Sequence, residues 1–377
     1  MAHKRKQQKH PLKRLWTRLH HKQRGASVLF DSKNTSPELP TIALFGAGNH
    51  GAHAVLPALA SLQNQLRLSA IVEPHALNAE RAQNLAPHAS IFADADALFA
   101  AQSPDIVYIA TLPSSHTALS LRAFEACAHV ICEKPLAPSV EECEMLVAAA
   151  KKSNRRLVVM FENRYKAHNR QIREWILSGR IGRVEAMHFQ HFWAGPMGEP
   201  RRSDLLNALG TLDCGIHSLD LARFFVQGGA WEHISALGTW FDETHLENPP
   251  HLSIVARLQD GPMVSFNDSM SYRIDCGKRT GARNGPSSLM IVGTHGTIED
   301  VAGGTQLFDR DDHEELCAHI STNHAQEIPW VLEDLLGALK NKNQIAPSGF
   351  LPDGHDGYWA QFLTTEANRQ ANQHRSQ

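Results

Sequence analysis

From Thr41 to about residue 160, short apolar runs alternate with amphipathic segments that have helical spacing. The apolar runs are "TIALFG", "LRLSAIVE", "PDIVYIAT", "AHVICEK" and "RRLVVMF". Strands this apolar are buried on both faces, and strands that alternate with helices of about 10–15 residues form a parallel sheet. The pattern predicts a doubly wound α/β domain over residues 41–162.

The pattern changes after residue 163. A helix, "NRQIREWILSG", precedes the alternating strand "RVEAMHFQHFW", and a helical stretch spans about 204–226. Further strands are predicted at "HISALGTW", "HLSIVARLQ", "PMVSFNDSMSY" and "SSLMIVG", with Asp260-Gly261 as a hairpin turn. Helices at about 327–341 and 355–373 follow. We therefore predict a second, α+β domain over residues 163–377, with a mostly antiparallel sheet.

Charge separates a third segment, the tail formed by residues 1–39. Residues 1–24 hold nine of the 37 Lys and Arg and no acidic residue, so the rest of the chain is acidic. An acidic body with a basic arm is typical of an enzyme with an electrostatic tether, and we expect no nucleic-acid partner. We interpret the tail as a disordered extension, although "LKRLWTRL" has the spacing of an amphipathic helix that contacts an anionic surface or a partner.

The six cysteines form no C-x-x-C pair and no zinc-type spacing with histidine, so reduced thiols and no metal site are predicted. No run approaches the roughly 18–20 apolar residues of a membrane span, and no apolar segment of signal-peptide type stands at the N-terminus. We therefore expect a cytoplasmic protein.

The first predicted strand leads directly into a G-x-G-x-x-G loop, formed by Gly46, Gly48 and Gly51 with Asn49 and His50 between them. Such a loop at a helix N-terminus binds a dinucleotide pyrophosphate. Glu73 ends the next strand, where an acid accepts hydrogen bonds from the ribose hydroxyls and repels a 2′-phosphate. NAD is therefore favoured, while His75 leaves NADP open.

Two further loops follow the carboxyl ends of predicted strands, where ligands bind in a doubly wound sheet. One contains Thr111, Leu112, Pro113 and His116; the other contains Glu133 and Lys134 of "CEKP". Both are expected to face the nicotinamide. A partly desolvated lysine beside a cationic ring should have a lowered pKa, which suits it to exchange a proton with a substrate oxygen.

A polar stripe lies on the otherwise apolar helix "TLDCGIHSLDLARFF". Asp213, His217 and Asp220 stand at i, i+4 and i+7. Ionisable groups on such a helix need partners. Two interpretations stay open: a catalytic pair, or a helix-capping Asp213 with a satisfied core histidine.

The segments "GAGNHG", "SSHTALSLRAFEACAHVICEKPLA", "SGRIGRV", "DCGIHSLDLARFF" and "IVGTHGTIED" resemble, in this order, the Gfo/Idh/MocA family of glucose-fructose oxidoreductase and inositol dehydrogenase. The resemblance covers residues 41–373. It implies a Rossmann domain followed by an α/β domain whose open sheet often mediates homo-oligomerisation. It also implies NAD(P)-linked redox chemistry on a secondary alcohol or hemiacetal carbon of a sugar, polyol or nucleotide sugar.

The resemblance also implies roles for individual residues. Lys134 would touch the nicotinamide ribose and the substrate, while Asp213 and His217 would bind the reacting hydroxyl and relay its proton. The residues expected to bind the substrate are Arg164, Tyr165, Arg202, Asp213 and His217. The chain departs from the family pattern at Leu112, where a proline is usual, at "ALGTLD", and at Arg201-Arg202, where Trp-Arg is common. These departures put substrate specificity in doubt more than fold.

Three functions are compatible with this sequence. The first is an NAD-dependent dehydrogenase or reductase in which His217 takes the hydroxyl proton and Lys134 holds the oxygen. The second is an NAD-retaining glycosidase whose net reaction is redox-neutral. The third is a non-catalytic NAD-bound regulator, against which the combination of Lys134, Asp213 and His217 argues.

Overall fold

The computed structural model describes residues 29–30, 39–193, 210, 212–240, 246–270, 284–311, 313–341 and 349–375. Arg202, most of the basic tail and the segment 204–209 of the predicted helix lie outside these residues. Within the described part of the chain, no helix combines the length and the apolarity that a bilayer crossing requires.

The first sheet has six parallel strands in the order β3-β2-β1-β4-β5-β6. They are β1 (Thr41–Phe45), β2 (Arg67–Val72), β3 (Ser90–Phe92), β4 (Ile106–Ile109), β5 (His129–Cys132) and β6 (Leu157–Val159). This is the doubly wound order, and its topological switch point lies between β1 and β4. The predicted doubly wound parallel sheet is confirmed, although the three-residue β3 was not predicted.

Helices cover both faces of this sheet. They are α1 (Leu56–Ser61, preceded by the π-helical turn Gly51–Val55), α2 (Ala76–Leu85), α3 (Ala95–Ala101), α4 (Pro113–Glu125) and α5 (Val140–Ser153). One face of β1 packs Leu44 against Leu56 and Leu59, and the other packs Phe45 with Phe124 and Leu146. The uniform apolarity of the strands thus has its cause in burial on both sides.

The second sheet has eight strands in the order β14-β13-β12-β11-β7-β10-β9-β8. They are β7 (Val184–Trp193), β8 (Trp231–Thr239), β9 (His251–Leu258), β10 (Met263–Ser269), β11 (Asn284–Gly293), β12 (Gly296–Val301), β13 (Gly304–Asp309) and β14 (Glu314–Ala318). All neighbours are antiparallel except β7 and β10, which confirms the mostly antiparallel prediction. Asp260 adopts a left-handed conformation (φ 52°) between β9 and β10, as the predicted hairpin requires.

The described residues contain four further helices: α6 (Ala167–Leu177), α7 (Leu212–Phe225), α8 (His324–Lys340) and α9 (Gly354–Arg375). α6, α7 and α9 bury Trp175, Leu219 and Leu363 against one face of the second sheet. α8 packs elsewhere. Its Ile328, Val331, Leu332 and Leu335 join the core of the first sheet beside Leu56. The late helix α8 therefore belongs to the packing of the first sheet.

Candidate active site

The glycine loop has the geometry of an anion cradle. Gly46 has φ +90°, and a Cβ there would lie 2.8 Å from the Ala110 carbonyl oxygen. A Cβ on Gly51 would lie 2.1 Å from the Gly46 carbonyl oxygen, whereas one on Gly48 would meet nothing within 4 Å. Two glycines are thus required by packing, and the third leaves open space beside a helix N-terminus. The loop fits a dinucleotide pyrophosphate.

Glu73 stands beside this loop, where the sequence places a ribose acceptor. Its two carboxylate oxygens accept hydrogen bonds from the backbone N–H groups of Ala47 (2.8 Å) and His75 (2.9 Å). Arg81, which was not predicted, donates to the Ala47 carbonyl oxygen at 3.0 Å and to the Asn78 side chain at 2.8 Å. Glu73 therefore shapes the loop in this structure, and each of its oxygens keeps a lone pair for a further donor.

The loop after β4 is fixed by His116. The imidazole is fully buried, its Nδ1 lies 2.8 Å from the Pro135 carbonyl oxygen and its Nε2 lies 3.3 Å from the Thr111 carbonyl oxygen. Burial lowers the pKa of His116. His116 thus joins the two predicted nicotinamide loops, whereas Leu112 is 47% exposed at the start of α4.

Lys134 crosses from the first sheet to α7. Its Nζ donates to Asp213 Oδ1 at 2.8 Å and to the Asp213 carbonyl oxygen at 2.5 Å. Burial lowers the pKa of Lys134, but the Asp213 carboxylate outweighs it and raises the pKa above the ordinary value. The expectation of a lowered pKa is therefore wrong for this structure, because the sequence does not show which charge faces the ammonium. Lys134 stays protonated at neutral pH and is a donor, not a base.

The stripe on α7 divides into three environments. Asp213 pairs with Lys134, His217 faces Glu162, and Asp220 accepts from Nε of Arg164 at 2.8 Å. Arg164 is 5% exposed and also lies 3.0 Å from Asp356. The Arg164 guanidinium thus pairs with two carboxylates inside the fold. The substrate candidate Tyr165 is also held inside the fold, because its buried hydroxyl donates to Asp334 at 2.7 Å.

His217 is buried next to the lysine-aspartate pair. Burial lowers the pKa of His217 to about 4, with Glu162 opposing that shift. Nδ1 is buried and has no hydrogen-bond partner among the described residues, and Nε2 lies 3.9 Å from Glu162 Oε1. The imidazole is therefore neutral at physiological pH and able to accept a proton.

The carboxylate of Glu133, next to Lys134 in the "CEKP" loop, is also held by hydrogen bonds. It accepts a hydrogen bond from Tyr108 Oη at 2.8 Å, and its Oε1 lies 2.9 Å from His50 Nε2. Burial raises the pKa of Glu133, but His50 holds it below the ordinary value, and Glu133 in turn raises the pKa of His50. His50 of the glycine loop is thus connected to the E-K-P loop, which its sequence position alone did not predict.

Two further residues were missed by the sequence reasoning. Glu162, in the 3₁₀ turn Glu162–Tyr165, and His324, at the first position of α8, approach within 3.1 Å between Oε1 and Nδ1. Glu162 was visible as an acid immediately after the apolar run "RRLVVMF", as Glu73 and Glu133 are after theirs. His324 gave no comparable signal, because its place depends on how α8 packs.

Residues 41–161 match the family model described as "Oxidoreductase family, NAD-binding Rossmann fold", and residues 169–299 match "GFO/IDH/MocA C-terminal domain". A 1,5-anhydro-D-fructose reductase of Ensifer adhaerens is 30% identical over 264 residues, 68% of this chain and 74% of that one. A D-glucoside 3-dehydrogenase of Escherichia coli K12 is 27% identical over 198 residues, 52% of this chain and 56% of that protein. This chain thus spans only about half of some relatives.

Solved structures share the fold at low sequence identity. A levoglucosan dehydrogenase in complex with NADH and levoglucosan superposes with a TM-score of 0.74 at 18% identity, covering 89% of this chain and 98% of that one. The WlbA dehydrogenase of Bordetella pertussis, in complex with NADH and UDP-GlcNAcA, gives 0.71 at 21% identity over 88% and 96%. At these identities the likeness establishes the architecture.

Proposed function

This chain belongs to the Gfo/Idh/MocA oxidoreductase family, and from that premise we propose that it is an NAD-dependent dehydrogenase or reductase. Its substrate is a sugar, polyol or nucleotide sugar that reacts at a secondary alcohol or hemiacetal carbon. The observation that carries the proposal is the contact between Lys134 Nζ and Asp213 Oδ1, one helical turn before His217. It joins the E-K-P loop beside the glycine cradle to an acid-base pair on α7.

The shifted pKa values of Lys134 and His217 support their roles in this proposal. Lys134, whose pKa is raised, remains an ammonium that donates to the substrate oxygen and stabilises negative charge on it. His217, whose pKa is lowered to about 4, is neutral and takes the hydroxyl proton. Asp213 holds Lys134 in place through its side chain and its carbonyl oxygen. When bound, NAD supplies the hydride acceptor.

The cofactor preference follows from the glycine cradle and Glu73. We assign the pyrophosphate to the backbone N–H groups at Gly48, Asn49 and His50, and the adenosine ribose to Glu73. A 2′-phosphate would stand against the Glu73 carboxylate, so NAD should bind at least about tenfold more tightly than NADP. Measuring the two dissociation constants by calorimetry tests this assignment.

The first experiment is to follow NADH absorbance with purified protein, NAD and a panel of inositols, aldoses and nucleotide sugars. Formation of NADH with any of them is expected. Lys134→Ala should retain NAD affinity and lose about 10²- to 10⁴-fold in kcat, the contribution typical of a positioned proton donor. Lys151→Ala, a change on the exposed side of α5, is the matched control. Unchanged turnover of Lys134→Ala would refute the role of Lys134, and glycoside cleavage without net NADH would refute the dehydrogenase.

Self-association is a further part of the proposal. The outer face of the second sheet exposes Leu237, Val255, Met263 and Met290 by 42% or more each, which supports a homo-oligomer formed through this sheet. Sedimentation velocity of the purified chain tests it. The cytoplasmic location expected from the sequence remains a prediction.

A further inference from the structure

Three side chains form a row from His217 to the protein surface. His217 Nε2 lies 3.9 Å from Glu162 Oε1, and the same oxygen lies 3.1 Å from His324 Nδ1. The exposed fraction of the side chain rises from 12% at His217 and 6% at Glu162 to 57% at His324. The row therefore joins a buried imidazole to one in contact with solvent through a single carboxylate oxygen.

The fold holds this row by elements of distant sequence. Glu162 opens the 3₁₀ turn that begins three residues after β6 ends at Val159, so it lies at the carboxyl edge of the first sheet. His324 opens α8, whose first turn is fixed by a capping box between Asn323 and Gln326 and whose Ile328 and Val331 are buried in the first-sheet core. The position of His324 is thus set by a well-packed helix and not by a free loop.

The proposed reaction creates a need for such a row. Oxidation of a CH–OH group sends a hydride to the nicotinamide and leaves the hydroxyl proton on His217, so one proton per turnover must reach water. Nδ1 of His217 is buried, and the Phe161 ring packs edge-on against the imidazole at 5.9 Å between centroids. Nε2, the other ring nitrogen, lies 3.9 Å from the Glu162 carboxylate, which can accept the proton.

We propose that Glu162 and His324 carry the proton that His217 takes from the substrate out to solvent. This inference rests on the proposed dehydrogenase function. Nε2 of His217 accepts the hydroxyl proton and then passes it to Glu162 Oε1. Glu162 Oε1 passes a proton on to Nδ1 of His324, and Nε2 of His324 releases its own proton to water. No bond other than these N–H and O–H bonds changes, and in the reductive direction the row runs in reverse.

The 3.9 Å gap between His217 and Glu162 closes by a small rotation of the imidazole or by one bridging water. The charges agree with the direction of transfer. Burial raises the pKa of Glu162, but His217 and His324 outweigh it and lower the pKa to about 2, so the carboxylate is always present to accept. Glu162 raises the pKa of His324, while burial lowers that of His217 to about 4, so a proton moves outward.

Other charged groups surround the row and must be counted. Glu327 Oε2 lies 3.7 Å from His324 Nδ1, and Lys166 Nζ lies 3.4 Å from Glu327 Oε1. On the other side, the His50 ring is 5.5 Å from the His324 ring and is paired with Glu133, while Lys134 lies near His217 and disfavours its charge. Glu162, His324 and Glu327 are close enough to hold a cation. Because Lys166 already places a positive charge at Glu327, the relay is the better account.

The test compares wild type with Glu162→Gln and His324→Gln. Both variants should keep NAD affinity and KM but lose at least about tenfold in kcat at low buffer concentration, since their role is proton transfer. The loss in His324→Gln should be restored by added imidazole, which reaches the exposed end of the row. His313→Gln, which changes an exposed histidine 3.5 Å from the Asp309 carboxylate, is the matched control and should equal wild type.

Each outcome decides the matter. Wild-type kcat in His324→Gln at low buffer, with melting temperature unchanged, overturns the relay and leaves the dehydrogenase intact. An equal loss at all imidazole concentrations also overturns it, because a structural defect would not be rescued. Activity of the wild type that is lost on dialysis against EDTA and restored by Mg²⁺ or Zn²⁺ would assign the cluster to a cation. Absence of NADH formation in wild type with every substrate would overturn both proposals.

Discussion

Asp220→Asn should separate a structural role of Arg164 from a substrate-binding one. Asp220 is 1% exposed and receives two hydrogen bonds from Arg164, whose side chain is 6% exposed. The substitution keeps size and shape but leaves a buried guanidinium with one carboxylate fewer. Breaking a buried ion pair from one side costs about 3–5 kcal/mol. Because Asp356 Oδ2 remains 3.0 Å from Arg164, we expect the lower end, about 3 kcal/mol.

This free energy converts into a measurable melting shift. Unfolding entropy near 2.1 cal/mol/K per residue gives about 0.8 kcal/mol/K for this chain, so the melting temperature should fall by about 4 °C. Differential scanning calorimetry measures it. Asp96→Asn, which removes an exposed partner of Arg122, is the control and should shift by about 1 °C or less.

Substrate kinetics complete the argument. KM for the substrate found in the panel should be unchanged in Asp220→Asn, since the pair lies inside the fold. A melting temperature equal to that of the control, together with a rise in KM, would refute this reasoning and return Arg164 to the substrate site.

Two further predictions concern the glycine loop and stability in acid. Gly48→Ala should fold with an unchanged melting temperature but weaken NAD affinity at least about tenfold, because its Cβ enters only the space assigned to the pyrophosphate. Gly51→Ala should lower the melting temperature, because its Cβ meets the Gly46 carbonyl oxygen. Calorimetry on both variants checks this, and an unchanged NAD affinity in Gly48→Ala would contradict the assignment of the pyrophosphate to this loop. Burial lowers the pKa of His168 to about 4, so the unfolded chain binds more protons between about pH 6.5 and 4 and stability is lost as the pH falls through that window. His168→Gln should therefore recover about 1–2 kcal/mol at pH 5 relative to pH 7.5, and equal pH dependence in urea melts of both proteins would count against it.

The strand and helix pattern of the first sheet was predictable because burial on both faces leaves an unambiguous apolar signal. The short strands β12, β13 and β14 were missed, since they are rich in Gly, Thr and acidic residues and half exposed. Sequence reasoning also could not find the parallel pairing of β7 and β10, which depends on a crossover and not on local residues.

The candidate site shows the same limit. The fold brings Lys134 within 2.8 Å of Asp213, one helical turn before His217, and each of these residues carries a local signal in the sequence. Local signals do not show which charges meet: the raised pKa of Lys134 depends on Asp213, 79 positions away, and the raised pKa of His324 depends on Glu162. Charges that meet through packing are invisible to a linear pattern, so the pairing of Arg164 with Asp220 was not foreseen, and the assignment of Arg164 to the substrate stays a prediction.

The packing of α8 on the first sheet has a consequence for synthesis. Leu56 and Leu59 of α1 are covered by Ile328, Val331 and Leu332, which leave the ribosome more than 260 residues later. At about 5–20 residues per second, the apolar side of the nascent nucleotide-binding half stays uncovered for roughly 15–50 s. During that interval the growing chain exposes apolar surface of the kind that chaperones bind.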